Sequence, residues 1–108
     1  MPGETLTREK VHAIGHLSQI PPGEGRTFDI AGHRIAVFRT HNDEVYASQA
    51  DCPHKQGPLA DGMLGGTTLM CPLHDRLYDL RTGQELTGDC NLRTYPIRSD
   101  NGTLLLTL

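Results

Sequence analysis

Tryptophan is absent from this 108-residue chain, which has only three Tyr and two Phe. With 36% hydrophobic residues, the expected core is small and aliphatic. No apolar run approaches the roughly 18 residues of a membrane span. The opening Met1-Pro2-Gly3-Glu4 is polar, unlike a secretory leader. These absences lead us to expect a soluble, cytoplasmic protein with no membrane partner. Positive charge is also scarce: 10 Lys and Arg stand against 13 Asp and Glu, for a net charge of −3, and no basic run occurs. Phosphate backbones are bound by clustered Lys and Arg, so nucleic acid is excluded as a partner. Cysteine numbers three, an odd count that disfavours a disulfide framework. There is no repeat, no low-complexity segment and no sustained helical period.

What the chain does have is punctuation. Twelve Gly and seven Pro interrupt short runs of period two. Residues 1–9 read as a flexible tail and 10–108 as one domain. The first strand is expected over Val11–Leu17, followed by a turn-rich loop at Pro21–Gly25. A hairpin over 26–30 and 33–39 turns at Ala31-Gly32, with Phe28, Ile30, Ile35 and Val37 facing the core. After a turn at His41–Asp43, a strand runs over 44–49. A second hairpin, 62–64 with 67–70, turns at Gly65-Gly66. Leu77–Leu80 is followed by a turn at Arg81–Gly83. Strands over 93–98 and 103–108 meet at Asp100-Asn101-Gly102, a type I′-like signal. Many short strands with regular turns predict an all-β fold, an antiparallel β-sandwich or barrel.

The chemistry sits between the strands. Cys52-Pro53-His54 is followed, after sixteen intervening residues, by Cys71-Pro72-Leu73-His74. Two thiolates and two imidazoles make a four-ligand metal site. Zinc accepts such a set, although Cys-x-His is an unusual zinc spacing. A two-iron, two-sulfide cluster accepts it too, with two His replacing two Cys on one iron. In that case the two thiolates cancel the charge of the oxidised core, so the electron enters a neutral site. Four thiolates would make it enter a dianion, and the mixed set therefore raises the reduction potential. Cys52 and Cys71 are expected on the inner iron, with His54 and His74 on the outer one, facing solvent and the redox partner. Pro53 and Pro72 stiffen the backbone after each Cys. Gly57, Gly62 and Gly65 are expected to permit the conformations of a wrapping loop. Asp75 and Arg76 are expected at the rim.

The stretches Cys52-Pro-His-Lys-Gln-Gly-Pro-Leu-Ala-Asp-Gly62 and Cys71-Pro-Leu-His-Asp-Arg-Leu-Tyr-Asp-Leu-Arg-Thr-Gly83 resemble Rieske-type [2Fe–2S] ferredoxins, as does Leu92-Arg-Thr-Tyr-Pro-Ile97. The resemblance covers about residues 10–108. It implies one [2Fe–2S] cluster per chain, held in a small subdomain of two ligand loops at about 50–80. It is most like the Rieske-like small subunit of assimilatory NADH nitrite reductase, with the ferredoxin component of ring-hydroxylating dioxygenases as the alternative. The implied partners are a large reductase subunit, or a reductase and an oxygenase. Relatives in cytochrome bc complexes carry an extra cysteine in each loop, joined as a disulfide. Gly57 and Leu73 occupy those positions here, so that bond cannot form. Where those relatives place a serine that donates to a bridging sulfide, this chain has Arg76. Tyr78 matches a tyrosine whose hydroxyl bonds a ligand cysteine sulfur. The resemblance thus implies a potential near the lower end of the roughly −150 to +300 mV Rieske range, raised slightly by Tyr78.

Other candidates read as ordinary. Cys90 is a small residue in a loop. His12, His16, His33 and His41 lack ligand spacing, and Asp61, Asp75 and Asp79 suit turns and surface. Lys55 and Gln56 flank His54, where partner contact and solvated rim are equally open. A one-chain oxygenase would need a further mononuclear iron held by two His and a carboxylate, normally in a second domain. The leading expectation is a one-electron carrier, the other class a zinc-stabilised binding module. Oxidised, the site holds one more positive charge, so ligand imidazoles lose protons more readily in that state. The reduction potential is therefore predicted to fall as pH rises above the imidazole pKa values. A redox titration from neutral to strongly alkaline pH checks this, and a flat profile would count against His54 and His74 as ligands.

Overall fold

A computed structural model of the chain describes residues 10–53, 58–72 and 76–108. The tail 1–9, His54–Gly57 and Leu73–Asp75 lie outside the described residues. With them go the expectations placed on His54, Lys55, Gln56, Gly57, Leu73, His74 and Asp75.

Ten strands follow in chain order among the described residues: β1 (Val11–His16), β2 (Glu24–Ile30), β3 (His33–Arg39), β4 (Val45–Gln49), β5 (Met63–Gly65), β6 (Thr68–Met70), β7 (Leu77–Asp79), β8 (Thr94–Tyr95), β9 (Ile97–Asp100) and β10 (Thr103–Thr107). Single 3₁₀ turns at Leu17–Gln19 and Leu59–Asp61 are the helical elements among the described residues. The strands form three antiparallel sheets, ordered β1-β10-β9, β2-β3-β4-β8 and β5-β6-β7. The fold is all-β and antiparallel, as the punctuation of the sequence predicts.

Turn chemistry explains the hairpins. Ala31 and Gly32 both have positive φ, 52° and 84°, and join β2 to β3 through a two-residue loop. Asn101 and Gly102, at 52° and 89°, do the same for β9 and β10. Both match the I′ requirement, whose backbone twist suits the flanking strands. The β5–β6 hairpin turns one residue later than expected. Gly65 pairs with Thr68, and the residue with positive φ is Gly66, at 61°. Gly65 therefore needs no glycine conformation. Gly62 is required for a different reason: a Cβ there would collide with the Met70 carbonyl oxygen.

Two further differences have plain causes. The predicted strand over 93–98 is broken at Pro96. Tyr95 pairs with Ala47 of the second sheet, whereas Ile97 pairs with Leu106 of the first. Proline cannot donate to a ladder, and its carbonyl still accepts from Thr107 N at 2.9 Å. The chain changes sheets at the residue that cannot continue one. β3, expected to bury one face, buries both, because it is central in its sheet and core lies on either side. Ile35 and Val37 join Ile20, Ala47, Leu104 and Leu106 in one cluster, against which Phe28 and Ile30 pack part-buried. Ala36 and Phe38 join Cys52, Leu59, Leu69, Cys71, Tyr78, Leu80 and Leu92 in the other. This second cluster is not purely aliphatic: Phe38 and Tyr78 are its largest members. It lies beneath the two cysteine loops.

Ala31 carries a Cβ in the left-handed region, which costs roughly 1–2 kcal/mol for an ordinary L-residue. Asn tolerates that region better. Ala31→Asn is expected to raise stability by about 0.5–1 kcal/mol, read as a higher chemical denaturation midpoint at unchanged slope.

Candidate metal centre

Each cysteine stands at the base of a loop that the sheets hold shut. The first loop leaves β4. Its mouth is closed by the isolated pairing of Asp51 with Pro58 and by Leu59 N donating to the Ala50 carbonyl at 2.9 Å. Gln49 Nε2 also donates to the Asp51 carbonyl at 2.8 Å. Arg34 reaches Asp51 at 2.6 Å, but both side chains are exposed, and such a pair contributes only about 0–1 kcal/mol. The second loop joins β6 to β7. Met70 pairs with Leu77, and Cys71 N donates to the Arg76 carbonyl at 2.8 Å.

Between these two mouths the sulfurs go inward. Cys52 is 1% exposed and Cys71 fully buried, both in the same core cluster, and none of the three cysteines is in a disulfide. Pro53 and Pro72, directly after them, are exposed, so each chain turns outward immediately past its thiol. The Tyr78 hydroxyl lies 3.6 Å from Cys52 Sγ, within hydrogen-bonding range for sulfur. Tyr78 belongs to β7, so a residue beside the second loop touches the cysteine of the first. Burial is the main cause that pushes its phenol pKa up, with the Cys52 contact adding to it. The hydroxyl therefore stays protonated, and able to donate to a thiolate, well above neutral pH.

One polar residue at the site escaped the sequence reading. Glu85, whose side chain is fully buried, lies opposite Tyr78 in an isolated strand bridge. Its carboxylate accepts from Arg76 Nη1 at 3.0 Å, Thr87 Oγ1 at 2.8 Å and Cys90 N at 3.0 Å. Burial alone would raise its pKa; the Arg76, Thr87 and Cys90 donors outweigh that and hold it below the usual carboxylate range. Arg76, expected at the rim, is half-buried and tied inward by this pair. Nothing in the sequence marks Glu85, because the neighbouring Leu86 is exposed while the charged residue is buried. Cys90 itself is exposed. Asp79 closes the turn after β7 by accepting from Arg81 N at 2.9 Å. Among the described residues, His12, His16, His33 and His41 included, no group of three or more His, Cys, Asp or Glu converges as a metal site.

Two buried thiols on adjoining loops, with a hydroxyl at one sulfur, fit the thiolate side of an iron–sulfur centre. Comparison with known proteins agrees. A profile of the Rieske [2Fe-2S] domain matches residues 10–96, and the chain belongs to that family. The ferredoxin component of the naphthalene 1,2-dioxygenase system of Pseudomonas putida is 31% identical over 105 residues, spanning 95% of this chain and 99% of that protein. The ferredoxin of carbazole 1,9a-dioxygenase from Nocardioides aromaticivorans superposes with a TM-score of 0.79 at 31% identity, over 91% of this chain and 96% of its own. A Mycobacterium tuberculosis protein described as the small subunit of an NADH-dependent nitrite reductase superposes with a TM-score of 0.85. Its 18% identity, over 93% of this chain and 96% of that one, shows a shared fold. The chain is a Rieske electron carrier with one [2Fe–2S] cluster, and the zinc reading falls.

A hydrogen bond to a cluster thiolate stabilises the more negative, reduced state more than the oxidised one. With Cys52 as such a thiolate, the assignment proposed below, Tyr78→Phe removes that donor and keeps the ring in its core cluster. A differential of about 1 kcal/mol corresponds to a midpoint potential lower by roughly 40 mV for one electron. Protein-film voltammetry of the two proteins checks it; equal potentials would remove the tyrosine from the tuning of the site.

Proposed function

We propose that this chain carries single electrons from a reductase to a larger oxidoreductase partner, with Cys52 and Cys71 as ligands of the inner iron and His54 and His74 as ligands of the outer one. When bound, the cluster supplies a one-electron couple. The chain's own residues supply the rest. β4 and β6 deliver the thiols into the core, and Pro53 and Pro72 follow them at the surface. Tyr78 holds a proton at its hydroxyl against Cys52. The observation that carries this reading is the convergence of the two buried thiols from separate loops on one core cluster.

Two partner systems are consistent with the likenesses. A nitrite reductase-like enzyme, with this chain as its small electron-transfer subunit, is supported by the full-length fold likeness. A ring-hydroxylating dioxygenase, with this chain as ferredoxin component, is supported by relatives at 31% identity over nearly the whole chain. Either partner is large, and redox encounters of this kind use small, transient interfaces. No helix among the described residues is long and apolar enough to cross a membrane. Three cysteines outside any disulfide support a reducing, cytoplasmic setting.

Purified protein is expected to hold iron and acid-labile sulfide in equal amounts. On reduction it should give an EPR signal whose mean g lies below the free-electron value. Cys52→Ser and His74→Ala should each abolish that signal, and zinc in place of iron would overturn the assignment. Pull-down from the source cell then separates the partner systems: a sirohaem protein marks the nitrite reductase arrangement, a terminal oxygenase the dioxygenase one.

A further inference from the structure

Outside the ligand pattern, one buried charge stands against the second loop. The Glu85 carboxylate takes Arg76 Nη1 and Thr87 Oγ1 on Oε2, and Cys90 N on Oε1. Its own N–H donates to Asn91 Oδ1 at 3.0 Å, fixing the residue from the other side. Thr87 Oγ1 also accepts from Leu77 N at 3.3 Å, which ties this segment to β7. Arg76 does two things at once. Its carbonyl accepts from Cys71 N and closes the second loop, and its guanidinium is held by the buried carboxylate. A cation is thus fixed at the foot of the loop that carries Cys71 and His74, with an anion fixed behind it.

Charges in a low-dielectric interior act on one another far more strongly than in water. An electron arriving at the loops is attracted by Arg76 and repelled by Glu85. Glu85 is wholly buried, whereas the Arg76 side chain is 37% exposed, so solvent screens the cation more than the anion. Resting on the reading that these loops hold the cluster, we propose that Glu85 is a positioning residue that acts through Arg76. It fixes the guanidinium at the foot of the second loop and offsets its charge, thereby keeping the reduction potential below what the unpaired cation would set.

The test is a charge cycle on the cluster-loaded protein, read as midpoint potential. Glu85→Gln leaves the cation unopposed and raises the potential. Arg76→Gln removes the cation while Glu85 keeps its Thr87 and Cys90 donors, and lowers it. The double variant falls between the two. A purely structural role for the pair would move both single variants in the same direction, or neither, and either result overturns the proposal. Should Glu85→Gln fail to hold the cluster, Arg76→Lys and Arg76→Gln carry the comparison. Lys keeps the wild-type potential and Gln lowers it; equal potentials in these two would overturn the proposal. Failure of the underlying reading looks different: the wild-type protein itself would lack iron and sulfide.

Discussion

The second loop depends on a three-residue ladder. Thr68, Leu69 and Met70 of β6 pair with Asp79, Tyr78 and Leu77 of β7, and the hydrogen bond from Cys71 N to the Arg76 carbonyl extends that ladder to the loop's mouth. Three pairs are few. They are held because Leu69 and Tyr78, which face each other across the ladder, are both fully buried in the core cluster that also takes the two thiols. Register is strongly specified wherever one face is buried. A slip of β6 by one residue would expel Leu69 from the core and carry Cys71 outward with it. The same cross-strand pair therefore sets the fold of the small sheet and the burial of the Cys71 sulfur.

The large sheet serves the site less directly. β3 is buried on both faces, so alternate residues belong to different cores. Ile35 and Val37 pack toward β10, while Ala36 and Phe38 pack under the cysteines. Pro96 then hands the chain from β8 to β9, which ties the second sheet to the first. The loops thus rest on a scaffold whose parts share strands.

Much of this was legible in the sequence, for identifiable reasons. Asn101-Gly102 announced its turn because positive φ at two successive positions leaves few residue choices; at Ala31-Gly32 the glycine alone gave the signal. The ligand spacing announced the metal because few chemistries need two thiolates and two imidazoles in that order. Leu64-Gly65-Gly66-Thr67 was ambiguous by one residue, since adjacent glycines serve equally well at either turn position. The break at Pro96 was available from its missing N–H, but an alternating run over Arg93–Arg98 concealed it. Glu85 was beyond reach. Its burial is decided by Arg76, Thr87, Cys90 and Asn91 folding around it, and no hydropathy pattern encodes partners supplied by tertiary contact. The proposed histidine ligands, His54 and His74, rest on the sequence motif and lie outside the described residues.

On the proposed ligand assignment, the two sulfurs would also form a clasp on the chain. Cys52 and Cys71 bracket Leu59, β5 and β6. A covalent bridge between two such points removes loop freedom from the unfolded chain, about 3 kcal/mol for a closed segment of this order on the chain-entropy account. A metal core held by both thiolates imposes the same restriction without a disulfide. A redox cofactor can then double as a cross-link in a compartment where disulfides do not persist, and in so small a domain the group that carries the electron also limits how far the unfolded chain can open.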